Sequence, residues 1–101
     1  MSIVRRESPD GREVTIKISG SLDFHDRYEF TEAYACDDPS EKHFILDMEN
    51  VDNLDSSALG MLLIMRNDAG EDKSQIKIIN CGREIKHTLL ISKFDKIFKI
   101  E

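Results

Sequence analysis

Two apolar rhythms alternate along this chain, and the alternation leaves few folds open to it. Val14, Ile16 and Ile18 interleave with Thr15, Lys17 and Ser19. A period of two marks a half-buried strand, and Gly20 closes it. Ile3-Val4 predicts a weaker strand before it, with Asp10-Gly11 as the hairpin signal between the two. Phe24, Tyr28, Thr31 and Ala35 then recur at helical spacing behind Asp23, a good N-cap. Phe44-Ile45-Leu46 with Met48 is a continuous apolar run, which predicts a central strand covered on both faces. Asp55 to Ala69 predicts a second helix, capped by Asp55 and stopped by Gly70. Gln75 to Asn80 predicts a strand around Ile76, Ile78 and Ile79. Arg83 to Ile91 predicts a third helix pairing Ile85 with Leu89, and Lys96 to Ile100 a last strand. The order is β-β-α-β-α-β-α-β. It implies an α/β fold with a small, mostly parallel sheet and right-handed crossovers.

A chain of 101 residues supports one such domain, spanning 1–101, and not two. No repeat or linker divides it. The one candidate insert, Cys36-Asp37-Asp38-Pro39-Ser40-Glu41, reads as a surface turn.

Charge narrows the partners. The net charge is −6, so nucleic acid and anionic membrane surfaces are not expected partners. The longest apolar stretch, Ala58 to Met65, is eight residues and too short to cross a bilayer. No apolar run follows Arg5-Arg6, so no signal peptide is expected. Cys36 and Cys81 lack metal or redox spacing and read as reduced thiols of a cytoplasmic protein. Charge is also unevenly placed. Asp23 to Asp55 holds eleven acidic residues against Arg27 and Lys42, while Glu71 to the end holds seven basic and five acidic ones. That gradient is either a solvated face or an approach route for a basic partner.

The motifs of enzyme chemistry are missing, so no catalytic function, cofactor or small-molecule substrate is expected. No nucleophile elbow or phosphate-binding loop occurs. His25, His43 and His87 fall in different elements. Asp47, Asp52 and Asp55 lack the glycine and terminal glutamate of a calcium loop, so no metal site is expected.

The stretch Val51-Asp52-Asn53-Leu54-Asp55-Ser56-Ser57-Ala58-Leu59-Gly60-Met61 joins a strand to a helix. With Asp55 as cap, Ser56 and Ser57 stand in the first helical turn. Backbone N–H groups there lack intrahelical partners and the helix dipole is positive. A phosphate suits that place, and so does a serine that only bonds locally. The helix itself is apolar almost all round. Ala58, Met61, Leu62 and Met65 share one side, Leu59 and Leu63 another, and Ile64 a third. Either neighbouring helices cover the surplus, or it is a protein-binding surface in which methionine supplies an adaptable contact.

Asp55-Ser56-Ser57-Ala58-Leu59-Gly60 after a strand and a short acidic turn resembles the signature of the STAS family, the anti-sigma-factor antagonists of bacterial partner switches. Gly20-Ser21-Leu22-Asp23 is similar to the family's Gly-x-Leu-Asp, and Ile91-Ser92-Lys93-Phe94-Asp95-Lys96-Ile97-Phe98 to its segment before the last strand. The resemblance spans nearly the whole chain. It implies the STAS fold, with helices on one face of the sheet. It also implies a protein that binds an anti-sigma factor carrying a serine-kinase (GHKL-type ATPase) domain and thereby frees the sigma factor. The kinase phosphorylates the serine after the motif aspartate, and a PP2C-type phosphatase reverses this. Carried over by position, that serine is Ser56, with Ser57 as second choice. Asp23 and Asp55 match the acids that shape the site. The expected contact surface is Asp23, Asp55 and Ser57 with the helix residues Ala58, Met61, Leu62 and Met65.

Ala58 stands where many members have glycine, which implies a firmer helix start. Many members also continue into another helix beyond the last strand, whereas this sequence ends at Glu101, so a different partner geometry is expected there. The family leaves two other roles open. One is a constitutive adaptor subunit, for example of a lipid-transport ATPase. The other is a switch acting on a non-sigma target.

Overall fold

The computed structural model describes residues 2–38 and 41–101. Strands β1 (Ser2–Glu7) and β2 (Glu13–Leu22) form a hairpin, followed by α1 (Arg27–Tyr34) and β3 (His43–Leu54). Helix α2 (Ser56–Asp68), β4 (Ile76–Ile79), α3 (Arg83–Ile91) and β5 (Lys99–Ile100) complete the chain. The five strands lie in the order β1-β2-β3-β4-β5. Only the β1–β2 pair is antiparallel. The element order matches the one legible in the apolar rhythms. Pro39 and Ser40 of the expected surface turn lie outside the described residues.

One face of the sheet is dry. Val14, Ile16 and Ile18 on β2, Phe44, Leu46 and Met48 on β3, and Ile76 and Ile78 on β4 are all buried. Their register partners coincide, Val14 with Phe44 with Ile76 and Ile16 with Leu46 with Ile78, so they form one apolar floor. The helices roof it with Phe30 and Tyr34 from α1, Met61, Leu62 and Met65 from α2, and Ile85 and Leu89 from α3. Helix α1 covers β1 and β2 and leans on α2, whereas α3 covers β3. On the other face Ile45, Asp47, Lys77 and Ile79 are only half-buried. The apolar run of β3 is thus not covered on both faces, as its composition predicts. Ile45 faces the open side.

Four boundaries differ from the sequence expectation, each for a backbone reason. Strand β3 does not stop at Met48 but runs to Leu54. Lys17 pairs with Asp47 and Ser19 with Asn50, then Gly20 with Val51 and Ser21 with Asn53. At each step β3 takes one residue more than β2, which is a β-bulge. The bulges reset the inward set from Phe44, Leu46 and Met48 to Val51 and Leu54, and this hides the strand from a period-two reading. Gly20 does not end β2. It sits at a bulge with φ +88°, where a side chain would be strained, and β2 continues to Leu22. Lastly, Phe24–Asp26 forms a 3₁₀ turn before α1. A 3₁₀ turn rotates faster than an α-helix, so the predicted stripe of Phe24, Tyr28, Thr31 and Ala35 slips out of phase. All four are exposed, and Phe30 and Tyr34 are buried instead. Similarly, Phe94–Lys96 is a 3₁₀ turn and shortens the last strand to Lys99–Ile100.

Candidate functional site

The acidic motif residues meet because their strands do. Leu22 pairs with Leu54 at the ends of parallel β2 and β3. The next residues, Asp23 and Asp55, therefore leave the sheet side by side at its C-terminal edge. Each opens a helical segment. Asp55 is extended (φ −93°, ψ −178°) and its Oδ1 accepts from the Ala58 N–H at 2.9 Å. Asp23 Oδ1 accepts from the His25 N–H at 2.9 Å, and Asp26 Oδ2 accepts from the Asp23 N–H at 3.1 Å, a capping box. Two donor-rich segment starts thus converge on one rim.

The two serines differ in exposure and partner. Ser57 is half-buried and its Oγ donates to Asp55 Oδ1 at 2.6 Å. Ser56, the first residue of α2, is exposed. Donation from the Ser57 hydroxyl, then from the Ala58 N–H, holds the Asp55 carboxyl below its ordinary value of 3.8. A carboxylate lowered on folding stabilises the folded chain above its unfolded value and loses that effect as pH falls through the folded one. A carbon-detected NMR titration should therefore place the Asp55 midpoint below 3.8. Ser57→Ala should move it upward. No movement would mean that the Ser57 bond does not set the cap.

The predicted contact residues of α2 need correction. Ala58, Met61, Leu62 and Met65 are 0, 5, 0 and 0% exposed. They are the stripe that seats α2 on the sheet, so a partner docking on the folded domain cannot reach them as a surface. The apolar residues that remain outside are Leu63 and Ile64. At Gly60 an added Cβ would meet nothing within 4 Å, so the crest of α2 between Ser56 and Ile64 is open.

Beside this crest lies an apolar groove of about 230 Å³ between α1 and α2. Phe24, Tyr28 and Ile64 form its rim, and Phe30, Tyr34 and Met61 its floor. The Arg27 guanidinium stacks 4.1 Å from the Phe24 ring centre and 4.5 Å from that of Tyr28. Its Nη1 donates to the Phe24 carbonyl at 3.0 Å. Below the rim, the Tyr34 hydroxyl donates to Asp68 Oδ2 at 2.7 Å and ties α1 to α2. Burial first, then that carboxylate, pushes the phenol above its ordinary range. The sequence reading places Phe24 and Tyr28 at helical spacing without giving their exposure, and sets Leu63 with Leu59 on a side of α2 apart from the expected contact residues. The surplus of apolar residues around α2 was the available signal, but its wrong side was chosen.

Among the described residues no helix is long and apolar enough to cross a membrane, and no cluster of His, Cys, Asp and Glu could hold a metal ion.

Comparison with known proteins adds independent evidence. The model of the STAS domain matches residues 3–101. A STAS-domain containing protein of Pseudomonas aeruginosa (strain UCBPP-PA14) is 42% identical over 100 residues, covering 99% of both chains. Among solved structures, an anti-sigma factor antagonist from Mycobacterium paratuberculosis aligns with a TM-score of 0.76 at 19% identity, over 98% of this chain and 85% of that one. The anti-sigma factor antagonist SpoIIAA in its unphosphorylated form aligns with a TM-score of 0.69 at 15% identity, over 99% and 87%. At such identities the structural likeness establishes the fold. With the family model covering almost the full length and the sheet order and motif geometry in agreement, the chain belongs to the STAS domain family.

Proposed function

We propose that this protein is an anti-sigma factor antagonist switched at Ser56. Unphosphorylated, it binds an anti-sigma factor that carries a serine-kinase domain of the GHKL ATPase type, and so frees the sigma factor. Phosphorylated at Ser56 it releases that partner, and a PP2C-type phosphatase resets it. The observation that carries the reading is the exposed Ser56 at the first position of α2, directly after the Asp55 cap, on the helix whose Met61 and Ile64 line an uncovered apolar groove. A kinase can reach its hydroxyl without unfolding the helix. The helix N-terminus accommodates the added charge within the domain. SpoIIAA is known in an unphosphorylated and a phosphorylated form, and this chain shares the fold of both.

Partner contact belongs to the open crest of α2 and the rim of the groove, with Leu63, Ile64, Phe24 and Tyr28 as apolar anchors and Asp23, Asp55 and Ser57 around the phosphosite. Exposed aromatic and aliphatic groups beside a polar rim have the composition of a docking surface. A constitutive adaptor would need no accessible serine at this position, so the exposure of Ser56 favours the switch. Protein purified from its source cells and mapped by mass spectrometry should carry phosphate on Ser56. Ser57→Ala should keep the modification and Ser56→Ala should lose it. Phosphate confined to Ser57, or none under conditions that activate the kinase, would overturn the assignment.

A further inference from the structure

The groove is not the only uncovered apolar surface. Helix α3 buries Ile85 and Leu89 and leaves Leu90 and Ile91 outside, Ile91 at 66% exposure. At about 100° per residue the solvent arc of α3 runs through Lys86, Leu90, Arg83, His87 and Ile91, with Glu84 as its one acid. Lys93 follows just beyond the helix, held in the left-handed region at φ +61°. An apolar pair thus sits in a mainly basic frame.

The α1 surface is its counterpart. Phe24 and Tyr28 are exposed, Tyr28 at 71%. The acids around them are Asp23, Asp26, Glu29 and Glu32. Arg27 is folded back over the two rings, and Arg5 is held at the far end of α1 by the Ala33 and Ala35 carbonyls. An apolar pair sits in an acidic frame. The two surfaces lie on different parts of the sheet, α1 over β1 and β2 and α3 over β3, so one molecule cannot close them on each other.

We infer that the occupant fitting the acidic α1 face is the basic α3 face of a second copy of this chain. Both apolar pairs leave water, and unlike charges meet around them. Because two different patches meet, a single contact leaves one patch of each kind free on the pair, so the association extends beyond a dimer unless both contacts close at once about a two-fold axis. The contact is weak, since two exposed apolar pairs form a patch smaller than a stable interface needs. Self-association covers Phe24 and Tyr28 and so competes with partner docking at the groove. It stands on the two patches alone and does not depend on phosphorylation of Ser56.

Sedimentation velocity on the purified full chain tests it. The wild type should gain weight-average mass as concentration rises toward about 1 mM, where a weak contact becomes populated. The double variants F24S/Y28S and L90S/I91S each lose one face. Each should stay monomeric, and all four positions are exposed, so the fold should persist. Mixed in equal amounts they should form a 1:1 heterodimer and nothing larger, since each keeps the face that the other lacks. A wild type that stays monomeric throughout overturns the inference. So does a double variant that associates like wild type, or a mixture that stays monomeric while wild type associates. Ser56 forms do not enter the comparison, so this inference and the switch can fail separately.

Discussion

Leu62→Ala lowers the stability of the folded protein by about 2–5 kcal/mol, and Ile64→Ala two residues later leaves it nearly unchanged. Leu62 is fully buried under α2, whereas Ile64 is 58% exposed at the rim of the groove. Truncating Leu62 removes buried methyl groups and leaves a cavity that a close-packed core only partly closes. Truncating Ile64 removes a side chain that is already mostly in water. Urea unfolding of both variants checks the difference, with the midpoint falling for L62A at unchanged slope. Binding should invert the order. At concentrations where both fold, L62A should retain its partner and I64A should lose affinity. Equal stability of the two would remove the basis for separating core from contact surface on α2.

If the proposed switch holds, phosphorylation of Ser56 should weaken the partner complex by several hundred-fold or more, equivalent to about 3–4 kcal/mol. The modification brings about −1.5 to −2 charges to a rim that already carries Asp55, with Asp23 at the adjacent strand end. Inside the domain those charges face the positive end of the α2 dipole, which favours them. Across an interface they meet a desolvated partner surface with nothing arranged to receive them. The fold should therefore tolerate what the complex does not. Titration of the phosphorylated and unphosphorylated protein against the isolated partner, with thermal unfolding of each form, reads both sides. A loss of affinity accompanied by an equal loss of folding stability would point to a damaged domain and not a switch.

The sequence made the elements and the serine-bearing start of α2 legible because their signals are local. Asp55 followed by two serines, a run of apolar residues and Gly70 specifies a capped helix without reference to the rest of the chain. Gly70, at φ +106°, ends it as glycine does. The burial of α2 was harder to read. All its sides carry apolar residues, so only the sheet beneath it decides that Ala58, Met61, Leu62 and Met65 point inward. The bulges of β3 were hidden for a related reason. They exist only in the pairing of β3 with β2, which shifts at Ser19 and again at Ser21. The groove needed both elements at once. It combines a 3₁₀ turn that moves Phe24 and Tyr28 outward with the α2 crest that holds Ile64 opposite them. No single stretch of sequence contains that arrangement.

The most direct test of the switch is a pull-down from the source organism with wild type, Ser56→Ala and Ser56→Asp as baits, identifying retained proteins by mass. A switch at Ser56 requires that Ser56→Ala hold a protein with a kinase-like ATPase domain and that Ser56→Asp lose it. An identical set of proteins on all three baits, above all a transporter subunit, would contradict it. It would make the protein a constitutive adaptor and leave Ser56 as the first residue of a helix.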